Sequence, residues 1–176
     1  MDDRVSSRAR KISFLLLDVD GVLTDGQLLY DGEGEAMKSF SVHDGTAIKW
    51  LQRAGVEVGL LTGRESKPLF ARAHELGIKE IMTNAKYKLP VFTAFLSRTG
   101  RDPETIAYMG DDLLDLPVLR RAGLALAPAD AAPEVRAAAH FVASSPGGRG
   151  AVREACELIL KAIGKWDEIT RPYFGE

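Results

Sequence analysis

Ser13-Phe14-Leu15-Leu16-Leu17-Asp18-Val19-Asp20-Gly21-Val22-Leu23-Thr24-Asp25 is the stretch around which the rest of the chain is organised. The run up to Leu17 is apolar without alternation, which predicts a strand buried on both faces, as in the middle of a parallel sheet. Two carboxylates, Asp18 and Asp20, then leave its carboxyl end just before a glycine. In open α/β sheets that edge is where ligands sit. Taken alone, Asp20-Gly21 also reads as plain turn chemistry. What favours a site is that further polar clusters follow, each placed just after an apolar run.

Leu28-Leu29-Tyr30 and Met37-Lys38-Ser39-Phe40 flank the glycine-rich Asp31-Gly32-Glu33-Gly34, which predicts a β-hairpin over residues 27–42. Asp44 reads as the N-cap of a helix carrying Ala47, Ile48, Leu51 and Ala54, stopped by Gly55. A strand over 56–61 runs into Thr62-Gly63-Arg64. The next helix has Ser66 as cap, Pro68 in its first turn and Gly77 beyond its end. A strand at 78–82, a helix at 89–98 and a strand at 105–109 lead to Gly110-Asp111-Asp112. Pro117 suits a first turn, so the helix that contains it starts near Asp115 and residues 111–115 read as loop. Strands at 124–127 and 140–143 enclose a helix around 133–139. A glycine-rich loop over 144–150 contains Arg149, and a last helix spans 151–163 before an aromatic tail, 165–176. Strands alternating with helices predict an α/β fold: a doubly wound, Rossmann-like parallel sheet, helices on both faces, with the hairpin protruding.

At 176 residues the chain fits one domain, 1–176. Lys+Arg 23 against Asp+Glu 25 leaves a net charge of −2, with no electrostatic footprint for nucleic acid or an acidic membrane. The single cysteine, Cys156, shares a helix face with Val152, Ile159, Leu160 and Ile163 and reads as inert core. No segment has the apolar length of a membrane span and the polar start carries no signal core, so a cytoplasmic location is expected. His43 reads as a helix-entry residue; His74 and His140 have no partners at metal spacing.

Asp18-Val19-Asp20-Gly21, Leu60-Leu61-Thr62-Gly63, a lysine, and Gly110-Asp111-Asp112, in that order and at strand ends, resemble the motifs of the haloacid dehalogenase-like phosphohydrolases. The likeness extends through Asp20–Gly26, Val42-His43-Asp44-Gly45, Thr62-Gly63-Arg64, Gly110–Asp115 and Gly147–Glu154 to the phosphatases of 3-deoxy-D-manno-octulosonate 8-phosphate (KDO 8-phosphate), which lack a cap domain. The resemblance implies Mg²⁺-dependent hydrolysis of that sugar acid phosphate, in lipopolysaccharide precursor synthesis, through an aspartyl-phosphate on Asp18. Asp20 would be the acid/base, with Thr62 and Lys88 on the phosphoryl oxygens; Lys88, at the family distance before Gly110, is favoured over Lys86. Metal ligands would be the Asp18 side chain, the Asp20 main-chain carbonyl and Asp111, with Asp112 and Asp115 behind them. Gly63 accompanies Thr62, and Arg64 and Arg149 are candidates for the substrate's carboxylate or phosphate, since a guanidinium fork matches either.

Charge arithmetic agrees with the metal. At ~4 Å and an effective dielectric of ~20 each unit pair is worth ~4 kcal/mol, so a carboxylate approaching a phosphate dianion is opposed by ~8 kcal/mol. A hard Mg²⁺ cancels that repulsion. The resemblance also implies a homo-oligomer, a tetramer in which packed hairpins close neighbouring sites. Three rivals remain: a phospho-accepting signalling receiver, a catalytically silent domain of the same fold, and a phosphatase for a 9-carbon 2-keto-3-deoxy acid phosphate. In receivers the acidic pair is normally separate from the phosphorylated Asp, the intact motif set opposes a silent domain, and Arg64 leans toward the 8-carbon substrate.

Overall fold

The computed structural model describes residues 2–32 and 36–175. The strand β1 (Phe14–Leu17) is buried throughout and sits inside a parallel sheet with β4 (Glu57–Leu61), β5 (Glu80–Met82), β6 (Ile106–Met109), β7 (Leu124–Ala127) and β8 (Phe141–Val142). The strand order is β5-β4-β1-β6-β7-β8, and Phe14 pairs with Glu57 on one side and Ile106 on the other. Because side chains alternate across a strand, Leu15 and Leu17 enter one core and Phe14 and Leu16 the other. That is why β1 carries no polar position. Each of these large side chains contributes roughly 1.5–3 kcal/mol by leaving water.

The first core is covered by α1 (Asp3–Ala9), α2 (Val42–Arg53), α3 (Lys67–Leu76), α7 (Ala151–Ala162) and α8 (Trp166–Thr170). The second lies under α4 (Lys88–Thr99), α5 (Leu116–Leu119) and α6 (Pro133–Ala138). From β1 the chain fills β4 and β5 on one side, then crosses to β6, β7 and β8 on the other. The switch point lies beside β1, so Asp18 emerges where a ligand crevice opens.

Several boundaries differ from the sequence reading. The polar start forms α1, capped by the Asp2 carboxylate on the Arg4 N–H (2.8 Å) and anchored by buried Val5 and Ala9. Ser41 rather than Asp44 caps α2: its hydroxyl accepts the Asp44 N–H (3.3 Å). The buried Asp44 carboxylate instead accepts the N–H groups of Arg153 (2.8 Å) and Gly150 (3.3 Å) at the start of α7. The expected loop over 111–115 contains a 3₁₀ turn, Leu113–Asp115, because Asp112 and Asp115 cap it reciprocally. The tail forms α8 and a 3₁₀ turn. The Tyr173 hydroxyl accepts from Trp50 Nε1 (3.2 Å), and the Trp166 ring meets Trp50 edge-on at 6.0 Å. Trp50 lies near the end of α2, which leads into the amino end of β4, so this tail packs away from the edge where Asp18 emerges.

The hairpin consists of β2 (Leu29–Tyr30) and β3 (Ala36–Met37), antiparallel, with Leu29 opposite Met37. Glu33 and Gly34 of its expected turn lie outside the described residues. Leu29, Tyr30 and Met37 are 52%, 61% and 57% exposed, whereas Leu28 and Phe40 are half-buried. Cys156 is fully buried, and burial pushes its thiol up. No described helix is long and apolar enough to cross a membrane.

Candidate active site

Asp18 leaves β1 still bonded to its neighbour strand, its N–H donating to the Met109 carbonyl (3.0 Å). One carboxylate oxygen accepts the Val19 N–H (2.7 Å); the other is 2.7 Å from Lys88 Nζ. The turn beyond it is tight: the N–H groups of Leu23 and Thr24 donate to the Val19 carbonyl, and the buried Thr24 hydroxyl accepts the Gly26 N–H (3.2 Å). Gly21 is required here twice over. Its φ is +86°, and a Cβ would stand 2.1 Å from Asp111 Oδ2. The loop before α7 braces the same turn, since a Cβ on Gly147 would stand 1.9 Å from the Gly21 carbonyl oxygen.

Lys88 opens α4 and is almost wholly buried, with Asp115 Oδ1 2.6 Å from its ammonium. That oxygen also accepts the Tyr108 hydroxyl (2.5 Å), while Asp115 Oδ2 accepts the N–H groups of Asp111 (3.0 Å) and Asp112 (3.1 Å). Four donors therefore fix Asp115. Thr62, buried at the end of β4, accepts the Arg64 N–H on its hydroxyl (3.3 Å), leaving the O–H to donate into the cavity. A cavity of about 290 Å³ is lined by Asp18, Asp20, Thr62, Gly63, Arg64, Lys88, Asp111, Asp112 and Asp115, so the strand-end clusters converge on one place. Larger cavities exist, about 660 Å³ beside it and about 590 Å³ near Glu57 and Arg101, but neither gathers these groups.

Burial pushes the Asp18 carboxyl up to about 7, with Lys88 opposing and Asp115 adding to the rise. Burial and the neighbouring Asp18 and Asp115 push Asp111 up to about 8. Burial alone would lower Lys88, but the two aspartates hold it above its ordinary value. Tyr108 is driven well above its usual range by burial and by Asp115. A crowd of desolvated carboxylates is short of positive charge. Oxygens of Asp18, Asp111 and Asp115 lie within 4.8 Å of one another. Those of Asp115 are saturated by their donors, whereas Asp111 Oδ1 is buried with no partner among the described residues. Asp18 and Asp111 thus fit a hard cation with oxygen ligands, and Asp115 fits the role of orienting them.

Arg149 is not brought to this cavity. It stands 3.5 Å from Asp25 on a neighbouring one of about 300 Å³, because Gly148 donates its N–H to the Val22 carbonyl (2.8 Å) and carries the loop past the turn. Lys86 lies over the Tyr87 ring at 5.8 Å and is absent from the catalytic lining. Asp112 is exposed and caps Leu113 (2.7 Å) rather than reaching Lys88. Two residues in contact with these carboxylates escaped the sequence reading. Tyr108 is one; the other is Lys38, whose ammonium pairs with Asp20 Oδ1.

Fold and site define a phosphoryl-transfer hydrolase with a carboxylate at the centre. The haloacid dehalogenase-like hydrolase family matches residues 35–123. The 3-deoxy-D-manno-octulosonate 8-phosphate phosphatase KdsC of Yersinia pestis is 43% identical over 168 residues, 96% of this chain and 90% of that protein. Among solved structures, the enzyme of the same name from Moraxella catarrhalis, in complex with magnesium, phosphate and KDO, superposes with a TM-score of 0.95 at 36% identity, covering 98% of this chain and 99% of the other. A probable YrbI family phosphatase from Pseudomonas syringae gives 0.96 at 40% identity, with 98% of each chain covered. The chain belongs to the KDO 8-phosphate phosphatase family of the haloacid dehalogenase-like hydrolases.

Proposed function

We propose that this chain hydrolyses KDO 8-phosphate to KDO and phosphate through an aspartyl-phosphate. The observation that carries the reading is the convergence of Asp18, Lys88, Thr62 and Asp111 on one cavity at the switch point of the sheet. Asp18 attacks phosphorus, and the bond to the sugar oxygen breaks as Asp20 donates that oxygen a proton. Asp20 then removes a proton from water as it attacks the acyl phosphate, which releases phosphate and restores Asp18. Lys88 and Thr62 hold the equatorial oxygens through both steps. The Asp18 and Asp111 side chains and the Asp20 carbonyl would hold Mg²⁺, which would supply charge neutralisation for the dianion. Arg64, 3.9 Å from Asp20, faces the leaving group, and Arg149 waits at the neighbouring mouth.

The active form in this reading is a homo-oligomer, a tetramer working in the cytoplasm. Its support is the exposed apolar set Leu29, Tyr30 and Met37 on a hairpin too short to be stable alone. Phosphate release is the test, over a panel containing KDO 8-phosphate, the 9-carbon 2-keto-3-deoxy acid phosphate and simple hexose phosphates, with and without chelator. Mg²⁺-dependent preference for the 8-carbon substrate is expected. Turnover surviving exhaustive metal removal, or a preference for the 9-carbon acid, would overturn the assignment.

A further inference from the structure

We propose that Lys38 is a positioning residue of the active site, holding the Asp20 carboxyl in place from the hairpin; this rests on the reading of Asp20 as acid/base. Lys38 directly follows β3, in an element whose Leu29, Tyr30 and Met37 are more than half exposed, yet its own side chain is 2% exposed. A buried ammonium is costly without a partner, and Asp20 Oδ1 is the ion-pair partner it has among the described residues. The other oxygen, Oδ2, faces Arg64, whose side chain is 60% exposed. Lys38 lines the cavity of about 660 Å³ and Asp20 the catalytic one, so the pair forms part of the wall between them.

The geometry explains why a fixed lysine belongs there. The terminal torsion of an aspartate is broad, so Asp20 alone samples many carboxyl orientations. Asp20 must nevertheless meet a leaving oxygen in one step and a water in the next. Lys38 restricts it to one orientation and is itself anchored: Phe40 packs on the core beneath Arg72, whose guanidinium also donates to the Ser41 carbonyl (2.8 Å). The seat of the hairpin is thereby read directly at the acid/base.

The test uses the full chain with saturating Mg²⁺ and two substrates, KDO 8-phosphate and p-nitrophenyl phosphate. Lys38→Met should lower kcat for KDO 8-phosphate by about 10–100-fold, with KM and Mg²⁺ affinity within about 3-fold of wild type. Lys38→Arg should recover most of the loss. Nitrophenolate leaves without a proton, so with the aryl substrate Lys38→Met should give a burst followed by slow turnover, the defect confined to dephosphorylation. In an Asp20→Asn background, Lys38→Met should cost nothing further, because Lys38 acts through that carboxylate. Wild-type kcat in Lys38→Met, a loss carried by KM alone, or additive losses in the double variant would each overturn the proposal. Should Lys38→Met unfold, Lys38→Gln, polar and of similar length, answers the same questions. A wild-type enzyme that ignores KDO 8-phosphate but shows the Lys38 effects on p-nitrophenyl phosphate would remove the substrate reading and leave this one standing.

Discussion

Lys88 and Lys38 each carry an almost wholly buried ammonium to one of the two carboxylates that follow β1, with side chains 4% and 2% exposed. Their settings are opposite. Lys88 opens α4, whose Phe92 and Phe95 sit in the core, and it bridges two aspartates, Asp18 and Asp115. Lys38 arrives on a two-stranded hairpin that presents Leu29, Tyr30 and Met37 to solvent. The phosphoryl half of the site is therefore set by the core of the domain. In the proposed mechanism, the half that handles protons depends on an element with little of its own to hold it.

The largest effect should come from breaking the core half. Lys88→Met removes the buried cation that Asp18 and Asp115 share, and losing one partner of such a group costs about 3–5 kcal/mol. Chemical denaturation should report that loss, and kcat should fall by at least about 10³-fold because a phosphoryl-oxygen donor is gone. Asp18→Asn should be equally inactive without the instability, since it removes one carboxylate from a crowded set and leaves Asp115 to pair with Lys88. If both variants lose equal stability, the contrast between charge balance and chemistry fails.

A smaller, graded effect follows from pH. Asp18 and Asp111 have folded-state values raised from 3.8 to about 7 and about 8. A raised carboxyl keeps its proton in the folded chain after the unfolded chain has lost it. The contribution of these two carboxyls to the stability of the metal-free protein is then fully present below about pH 4 and is lost as pH climbs toward 8. Mg²⁺ must displace the same protons, so its affinity rises over that window. The gap between melting temperatures with and without Mg²⁺ should widen from pH 5 to pH 8, and calorimetry in buffers of different ionisation enthalpy should detect released protons. A gap independent of pH would show that these carboxyls are already ionised without metal.

The core half was also the legible half. Asp18, Thr62 and Asp111 each stand where an apolar run stops, a pattern local enough to read, and the sheet followed from the same runs. Lys88 was recognisable by its spacing within a family pattern, not by its surroundings. What escaped depends on contacts between separated residues. Lys38 meets Asp20 across 18 positions and reads locally as a polar residue in a short run beside a glycine-rich turn. Tyr108 meets Asp115 across 7, hidden inside a buried run. Asp44 looked like a cap for its own helix, yet it serves α7, more than 100 residues on. The short α1 went unseen because its arginines mask the buried Val5 and Ala9.

The smallest change in stability, with a disproportionate change in activity, should come from the hairpin surface. Leu29 is 52% exposed, so Leu29→Glu removes no core contact and should shift stability by no more than about 0.5 kcal/mol. In an assembly formed through packed hairpins, however, that carboxylate would be buried without a partner. Sedimentation should then show a smaller species, and kcat should fall in the manner of Lys38→Met, because an unsupported hairpin no longer holds Lys38 against Asp20. The variant's effect on KM should be slight, since Lys88 and Thr62 are untouched. An assembly of wild-type size with full kcat in Leu29→Glu would detach the hairpin from both association and catalysis. A wild-type chain that is monomeric and fully active at micromolar concentration would detach the hairpin from association alone, leaving Lys38 to act within a single subunit.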